Sequence, residues 1–165
     1  IRLRPIADFD LKASPLLSSL DRLEGHGHVE LGIAQPERLA EFRTMCVALP
    51  HIRFVLTHCG HPLMSPGTHD YDYRSLDGLE NLYIKLSPPQ IAPTDNAYAH
   101  ERLSMHVGKL LDILSSRKLM FGSNWPVAQY PQKFETWLAE ALTQTEGDVA
   151  QVFAGTAREI YGCER

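Results

Sequence analysis

The sequence has no excess of positive charge and no long apolar run, and each absence excludes a class of protein. The formal net charge is -4 at pH 7, so the chain offers no basic patch for a nucleic-acid backbone. No segment approaches the roughly 20 consecutive apolar residues that a membrane-spanning helix requires, and no signal peptide is visible. We therefore predict a protein that binds neither nucleic acid nor membrane.

Cysteine is also scarce, and the three cysteines are far apart. Cys46, Cys59 and Cys163 form no Cys-x-x-Cys pair, and an odd number of thiols does not build a disulfide framework. Free thiols fit a reducing compartment best, so we expect a cytoplasmic protein.

The composition is that of an ordinary globular protein, with 44% hydrophobic and 22% charged residues. A length of 165 residues suits one domain with a real core. No shift in composition suggests a linker, so we predict a single domain over residues 1–165. The chain begins at Ile1, already inside an apolar pattern, and we expect it to be a piece of a longer protein.

Short apolar runs alternate with helical patterns along the chain. Strands are predicted at 1–6, 28–33, 53–58, 82–87 and 119–124. Helices are predicted from Ser14, as N-cap before Pro15, and from Pro36. Further helices are predicted near 97–115, 132–142 and 148–161, with one helical turn near 73–79. This order predicts a parallel sheet with right-handed crossovers, either open or part of a barrel.

Polar side chains stand where several of these strands end. The run Arg53–Pro62 is apolar until His58, the next predicted strand ends at Ser87, and the last ends at Asn124. Parallel strands bring their C-terminal ends to one edge, where α/β proteins keep their chemistry. The sequence therefore predicts that these three residues share one rim.

Alternation along the strands places charged side chains together on one face of the sheet. These residues are Arg2, Arg4, Glu30 and Lys85. Two interpretations remain open. The face is solvated, or it lines a polar pocket that pairs the charges and receives an anionic or oxygen-rich ligand, because unpaired buried charges are costly.

Four segments together resemble the amidohydrolase-related (amidohydrolase 2) family of TIM barrels, in the branch with sugar lactonases and 2-pyrone-4,6-dicarboxylate lactonase. They are PHIRFVLTHCGHP at 50–62, NLYIKLS at 81–87, LMFGSNWPV at 119–127 and VFAGTAREIY at 152–161. Their order is that of the family's strands six to eight and its closing helix, with 1–6 and 28–33 matching strands four and five. The resemblance implies a partial (β/α)8 barrel of about five parallel strands, strands 4–8 of the family, with outer helices.

The resemblance implies an enzyme that hydrolyses a lactone or similar cyclic ester of a carboxylated or sugar-derived small molecule. His58 matches the family's sixth-strand histidine, which would bind metal or hydrogen-bond the substrate carbonyl. Asn124 stands where hydrolytic members commonly carry an aspartate as general base. Since a carboxamide cannot accept that proton, Glu30 or His58 would have to be the base.

The other candidate residues would bind substrate. Lys85 matches a recurrent lysine of the family, and it would either pair with Glu30 or contact substrate. The arginines would grip a carboxylate in a bidentate manner or lie on a solvated strand edge. The substrate-binding candidates are Arg2, Arg4, Lys85, Ser87 and Trp125, the last at the pocket rim.

The implied cofactor is either none or one divalent metal, with zinc expected and His58 as ligand. The pair His26-Gly27-His28 precedes its strand, so we place it at the non-catalytic end. The family's strands one to three, with the His-x-His of metal-binding members, have no counterpart here. A second hypothesis is therefore an inactive fragment that needs its missing N-terminal half or a partner chain, for example in a homo-oligomer.

Overall fold

The structure is a computed structural model that describes residues 1–3, 10–24, 26–33, 35–60, 72–87, 96–125, 138–139, 141–145 and 147–162, with the backbone alone for 96–103. The strands in this part of the chain are β1 (His28–Leu31), β2 (Arg53–Leu56), β3 (Leu82–Leu86) and β4 (Leu119–Phe121). They form one sheet in the order β1-β2-β3-β4.

All neighbouring strands are parallel, which confirms the predicted α/β architecture. Val55 of β2 is paired in register with Glu30 of β1 and with Tyr83 of β3, and Lys85 is paired with Met120 of β4. Each strand lies beside its successor in the chain, as expected when helices carry the crossovers.

The strand predicted at 1–6 is present only as a single parallel bridge between Arg2 and Glu30. The Glu30 N–H donates to the Ile1 carbonyl at 2.8 Å, and the Leu3 N–H donates to the Glu30 carbonyl at 2.7 Å. Residues 4–9, and with them Arg4, lie outside the described residues. The sheet thus has four described strands and one bridge where five strands were expected.

Helices cover the sheet in the predicted places. They are α1 (Ser14–Asp21), α2 (Leu39–Ala48), α3 (Asn96–Ile113) and α4 (Thr156–Tyr161), with 3-10 turns at Pro36–Arg38, His58–Gly60, Tyr73–Leu76 and Ser116–Lys118. Ala13, and not Ser14, is the N-cap of α1, and it makes no side-chain cap bond. The helix predicted at 132–142 is helical at 138–139 and 141–144. None of the described helices is long and apolar enough to cross a bilayer.

The main core lies between the sheet and the helix layer. Phe54 and Ile84 face this core and are fully buried, as are Phe42 and Met45 of α2 and Leu110 of α3. Strand alternation puts these sheet residues on one face and the charged residues on the other. This is the division that the sequence predicted for β1 and β3.

A smaller apolar cluster occupies the opposite face of the sheet. Val55, Tyr83 and Met120 pack there against Ile160 and Tyr161 of α4. A π-helical segment, Gln151–Gly155, leads directly into α4. The closing helix therefore covers part of the face that a complete barrel would turn inward.

Candidate active site

The C-terminal tips of β2 and β3 are in direct contact. The Nδ1 atom of His58 lies 2.9 Å from the Oγ atom of Ser87. The end of β4 is equally close, because a Cβ atom on Gly122 would stand 3.0 Å from the Ser87 Cβ atom. The tips of β2, β3 and β4 therefore meet here, and Asn124 follows Gly122 by two residues along the chain.

A left-handed turn aims His58 at this rim. His58 and Cys59 have φ angles of 52° and 51°, a region that non-glycine residues seldom adopt and that costs energy. Phe54 and Leu56 face the helix layer, so strict alternation would send His58 there as well. The turn instead places His58 beside Ser87, and it ends β2 at Leu56 rather than at His58 as predicted.

Buried hydrogen bonds stabilise this turn. The Tyr73 hydroxyl donates to the Cys59 carbonyl at 2.7 Å, and the Gly60 N–H donates to the Thr57 carbonyl at 2.8 Å. The Thr57 N–H donates to the Leu31 carbonyl of β1 at 2.8 Å. Tyr73 was not predicted to support the site, because the spacing of a loop tyrosine gives no signal of a partner 14 residues away.

Asn124 also has a left-handed backbone, with φ of 55°. Asparagine tolerates this conformation better than most residues, and β4 ends at Phe121, three residues before it. Trp125 follows with 81% of its surface exposed, and its N–H donates to the Ser123 hydroxyl at 3.2 Å. Trp125 therefore presents an exposed indole shortly after the end of β4.

Glu30 and Lys85 form an ion pair on the charged face. The Lys85 Nζ atom lies 3.0 Å from the Glu30 Oε1 atom, and the Tyr161 hydroxyl of α4 donates to the same oxygen at 2.5 Å. The Lys85 ammonium stands 5.2 Å from the centre of the Tyr161 ring, and the His28 Nε2 atom lies 3.7 Å from Glu30. Of the charges predicted on this face, Glu30 and Lys85 are thus paired with each other.

The pairing determines the proton affinity of Glu30. Burial is the largest influence and would raise the pKa of this carboxyl, but the hydrogen bonds from Tyr161 and Lys85 together lower it below its usual value. Burial, followed by the bond to Glu30, raises the pKa of the Tyr161 phenol, so this group stays a donor. Glu30 is therefore ionised at neutral pH and a weak base, unlike the raised carboxyl that general-base catalysis favours.

Arg2 and His28 lie away from the contact between His58 and Ser87. Arg2 is exposed at the β1 bridge. His28 is the first residue of β1, so it lies at the end of the sheet opposite His58. Burial lowers its pKa although Glu30 opposes this, and its ring packs edge-on against Tyr161 with centroids 4.7 Å apart.

The described residues do not fit a complete metal site. Among them, no group of three His, Cys, Asp or Glu side chains could hold an ion. His58 has a serine as its hydrogen-bonded neighbour, and Asn124 contributes a neutral amide where zinc favours a nitrogen, thiolate or carboxylate ligand. The described residues alone therefore do not support a metal-dependent step.

Replacing Gly122 by alanine should disturb the rim. The added Cβ atom would lie 3.0 Å from the Ser87 Cβ atom and 3.1 Å from the Lys85 Cγ atom, so we expect a loss of about 1–3 kcal/mol in the free energy of unfolding. Urea denaturation measures it. Gly108→Ala is the matched control, since nothing lies within 4 Å of its added carbon and alanine favours helix. A Gly122→Ala protein as stable as the parent would contradict this packing.

The two described cysteines should be unreactive in the folded protein. Cys46 and Cys59 are buried, and burial raises the pKa of the Cys59 thiol to about 12 against a smaller lowering by the Ser87 N–H. In a Cys163→Ser background, Ellman's reagent at pH 8 should label neither thiol until denaturant is added. Rapid labelling of either thiol before denaturation would show that the turn opens readily.

The sequence and the fold both match known proteins. The model of the family described as Amidohydrolase matches residues 28–163. An L-fucono-1,5-lactonase of Burkholderia ambifaria is 23% identical over 177 residues, which cover 99% of this chain and 60% of the relative. The chain thus spans less than two thirds of the length of that relative.

Two solved structures share the fold. An amidohydrolase from Burkholderia multivorans with bound zinc has a TM-score of 0.80 and 17% identity, over 99% of this chain and 64% of its own. A probable 2-pyrone-4,6-dicarboxylic acid hydrolase from Acinetobacter baumannii with bound citric acid has a TM-score of 0.76 and 18% identity, over 98% of this chain and 63% of its own.

Proposed function

This chain belongs to the amidohydrolase family, and on that basis we propose that it hydrolyses a lactone or similar cyclic ester of a carboxylated or sugar-derived small molecule. The observation that carries the proposal is the His58–Ser87 pair at the tips of adjacent parallel strands. This is the edge where such folds bind their substrates. The names of the fuconolactonase and pyrone-dicarboxylate hydrolase relatives support a lactone as the substrate class.

In the proposed reaction His58 hydrogen-bonds the carbonyl oxygen of the lactone. A fixed donor at this point stabilises the negative charge that develops as water attacks the carbonyl carbon. The ring C–O bond then breaks, the carbonyl carbon keeps the hydroxyl of water, and the ring oxygen takes its proton. The Asn124 amide oxygen serves to orient the water, since it accepts a hydrogen bond but not a proton.

The charged face supplies the carboxylate-binding groups in this proposal. The Lys85 side chain is 24% exposed beside Glu30, and Arg2 is exposed at the neighbouring bridge. Arg4 remains a prediction outside the described residues. Because its pKa is lowered, we assign Glu30 to holding Lys85 rather than to activating water.

Because the described residues do not form a complete metal site, a metal would need further ligands from other residues of the protein. The Burkholderia multivorans relative was solved with bound zinc. If this protein holds such an ion, His58 is the ligand that the described residues would contribute, and the ion would supply Lewis-acid polarisation of the carbonyl in place of the hydrogen bond from His58, because a metal-bound ring nitrogen carries no proton.

The test is acid release from L-fucono-1,5-lactone and from 2-pyrone-4,6-dicarboxylate, followed with a pH indicator, with an acyclic ester as control. We expect lactone-dependent turnover, and a parallel assay with a chelator reports whether a metal is required. A protein that folds, binds no lactone and releases no acid would overturn the proposal. It would support instead an inactive chain that needs a partner, and light scattering would then report any homo-oligomer.

A further inference from the structure

The Ser87 hydroxyl is buried at the strand tips and forms a hydrogen bond with the His58 ring. Ser87 is 1% exposed, and in the described part of the chain its only side-chain hydrogen bond is to Nδ1 of His58 at 2.9 Å. A hydroxyl can donate or accept, and imidazole nitrogens do either according to where the proton lies. Among the described contacts, the Ser87 O–H therefore has only Nδ1 of His58 to donate to, and the direction of this bond bears on the tautomer of His58.

The burial of Ser87 determines which of the two groups donates in this hydrogen bond. If Nδ1 carried the proton, the Ser87 oxygen would accept it, and the Ser87 O–H would be left buried without an acceptor. Leaving a buried donor unsatisfied costs more than an ordinary hydrogen bond contributes. If the Ser87 O–H donates to Nδ1 instead, both groups are satisfied and the proton of the neutral ring is on Nε2.

We propose that Ser87 is a positioning residue that holds His58 in the Nε2-protonated tautomer. This inference deepens the proposed function and rests on it, because the Nε2–H is then the donor that polarises the lactone carbonyl. Ser87 acts through His58 and does not contact the reacting atoms, which differs from the substrate-binding role predicted from its position at the end of the predicted strand. The chemistry it sets is donation by His58, not proton abstraction.

Both partners are held in place by packing. Ser87 lies against Gly122, where no larger residue fits without a shift. The left-handed turn at His58 is stabilised by the hydrogen bond from the Tyr73 hydroxyl to the carbonyl of Cys59, the next residue. A hydrogen bond between two fixed groups sets a ring orientation before substrate arrives, which is the condition for effective electrostatic catalysis.

The test is the nitrogen NMR spectrum of the His58 ring in the 15N-labelled protein at a pH where the ring is neutral. His58→Asn identifies the signals by their loss. We expect a pyrrole-type Nε2 and a pyridine-type Nδ1 in the parent protein. A parent spectrum with the proton on Nδ1 overturns the inference without any further variant.

Variants of Ser87 then test whether its hydroxyl is what sets the tautomer of His58. In Ser87→Ala we expect a mixture of tautomers and a kcat roughly tenfold lower with KM unchanged, while Ser87→Thr should restore both. Ser19→Ala, which removes an exposed hydroxyl on α1, should change neither. An unchanged tautomer in folded Ser87→Ala would overturn the inference even if the protein hydrolyses lactones, whereas the expected spectra without turnover would overturn only the proposed function.

Discussion

Replacing His58 by asparagine is expected to lower kcat for lactone hydrolysis by about a hundredfold or more, with little change in KM. The reason is that a lost donor to the developing oxyanion costs about 10²–10³ in rate when the site is otherwise intact. Asparagine suits the test because it tolerates the left-handed backbone at this position. The variant should therefore lose the imidazole without losing the turn.

Initial-rate kinetics on the lactone that the protein turns over fastest would measure this effect. His51→Asn is the matched control, since His51 is an exposed histidine whose ring contacts Asp21, far from the strand tips. We expect that control to retain nearly full activity. A His58→Asn protein that folds like the parent and keeps its kcat would remove His58 from the mechanism.

Lys85→Met should have the largest effect on stability. The Lys85 and Glu30 side chains are 24% and 12% exposed, and removing the ammonium leaves an ionised, mostly buried carboxylate beside Tyr161. We expect the free energy of unfolding to fall by about 2–3 kcal/mol, less than the roughly 3–5 kcal/mol found for fully buried pairs. The double variant Glu30→Gln with Lys85→Met should recover much of the loss, because neither charge remains.

This effect should depend on pH in a fixed direction. The pKa of Glu30 is lowered in the folded protein, so its contribution to stability is present above the ordinary glutamate pKa and is lost as the pH falls through the lowered value. The stability gap between the parent and Lys85→Met, measured by denaturant titration at several pH values, should be largest near neutrality and shrink in acid. A gap that stays constant with pH would show that lost packing, not the ion pair, causes it.

The sequence was sufficient for features that depend on local pattern. Alternation within each strand separated Leu82 and Ile84, which face the helices, from Tyr83 and Lys85, and the short apolar runs located all four described strands. Because parallel strands align their ends, the meeting of His58 and Ser87 followed from those strand positions.

Features that depend on contacts between distant residues could not be predicted from the sequence. Nothing local requires His58 and Cys59 to be left-handed, since the turn depends on Tyr73 and on the strands around it. Tyr161 bonds to Glu30 across 131 residues, and a residue pattern carries no signal for such a pair. The lowered pKa of Glu30 therefore became apparent only with the fold, and it is the reason that we propose Glu30 as the partner of Lys85 rather than as the base.

The most direct test of a lactone site at the strand tips is a crystal structure of the protein with the hydroxy acid that its hydrolysis reaction produces. We predict that the new carboxylate lies at the tips of β2, β3 and β4, with one oxygen within hydrogen-bonding distance of the His58 Nε2 atom. A product bound instead at the opposite end of the sheet, near His28, or away from the strand tips altogether, would contradict this account.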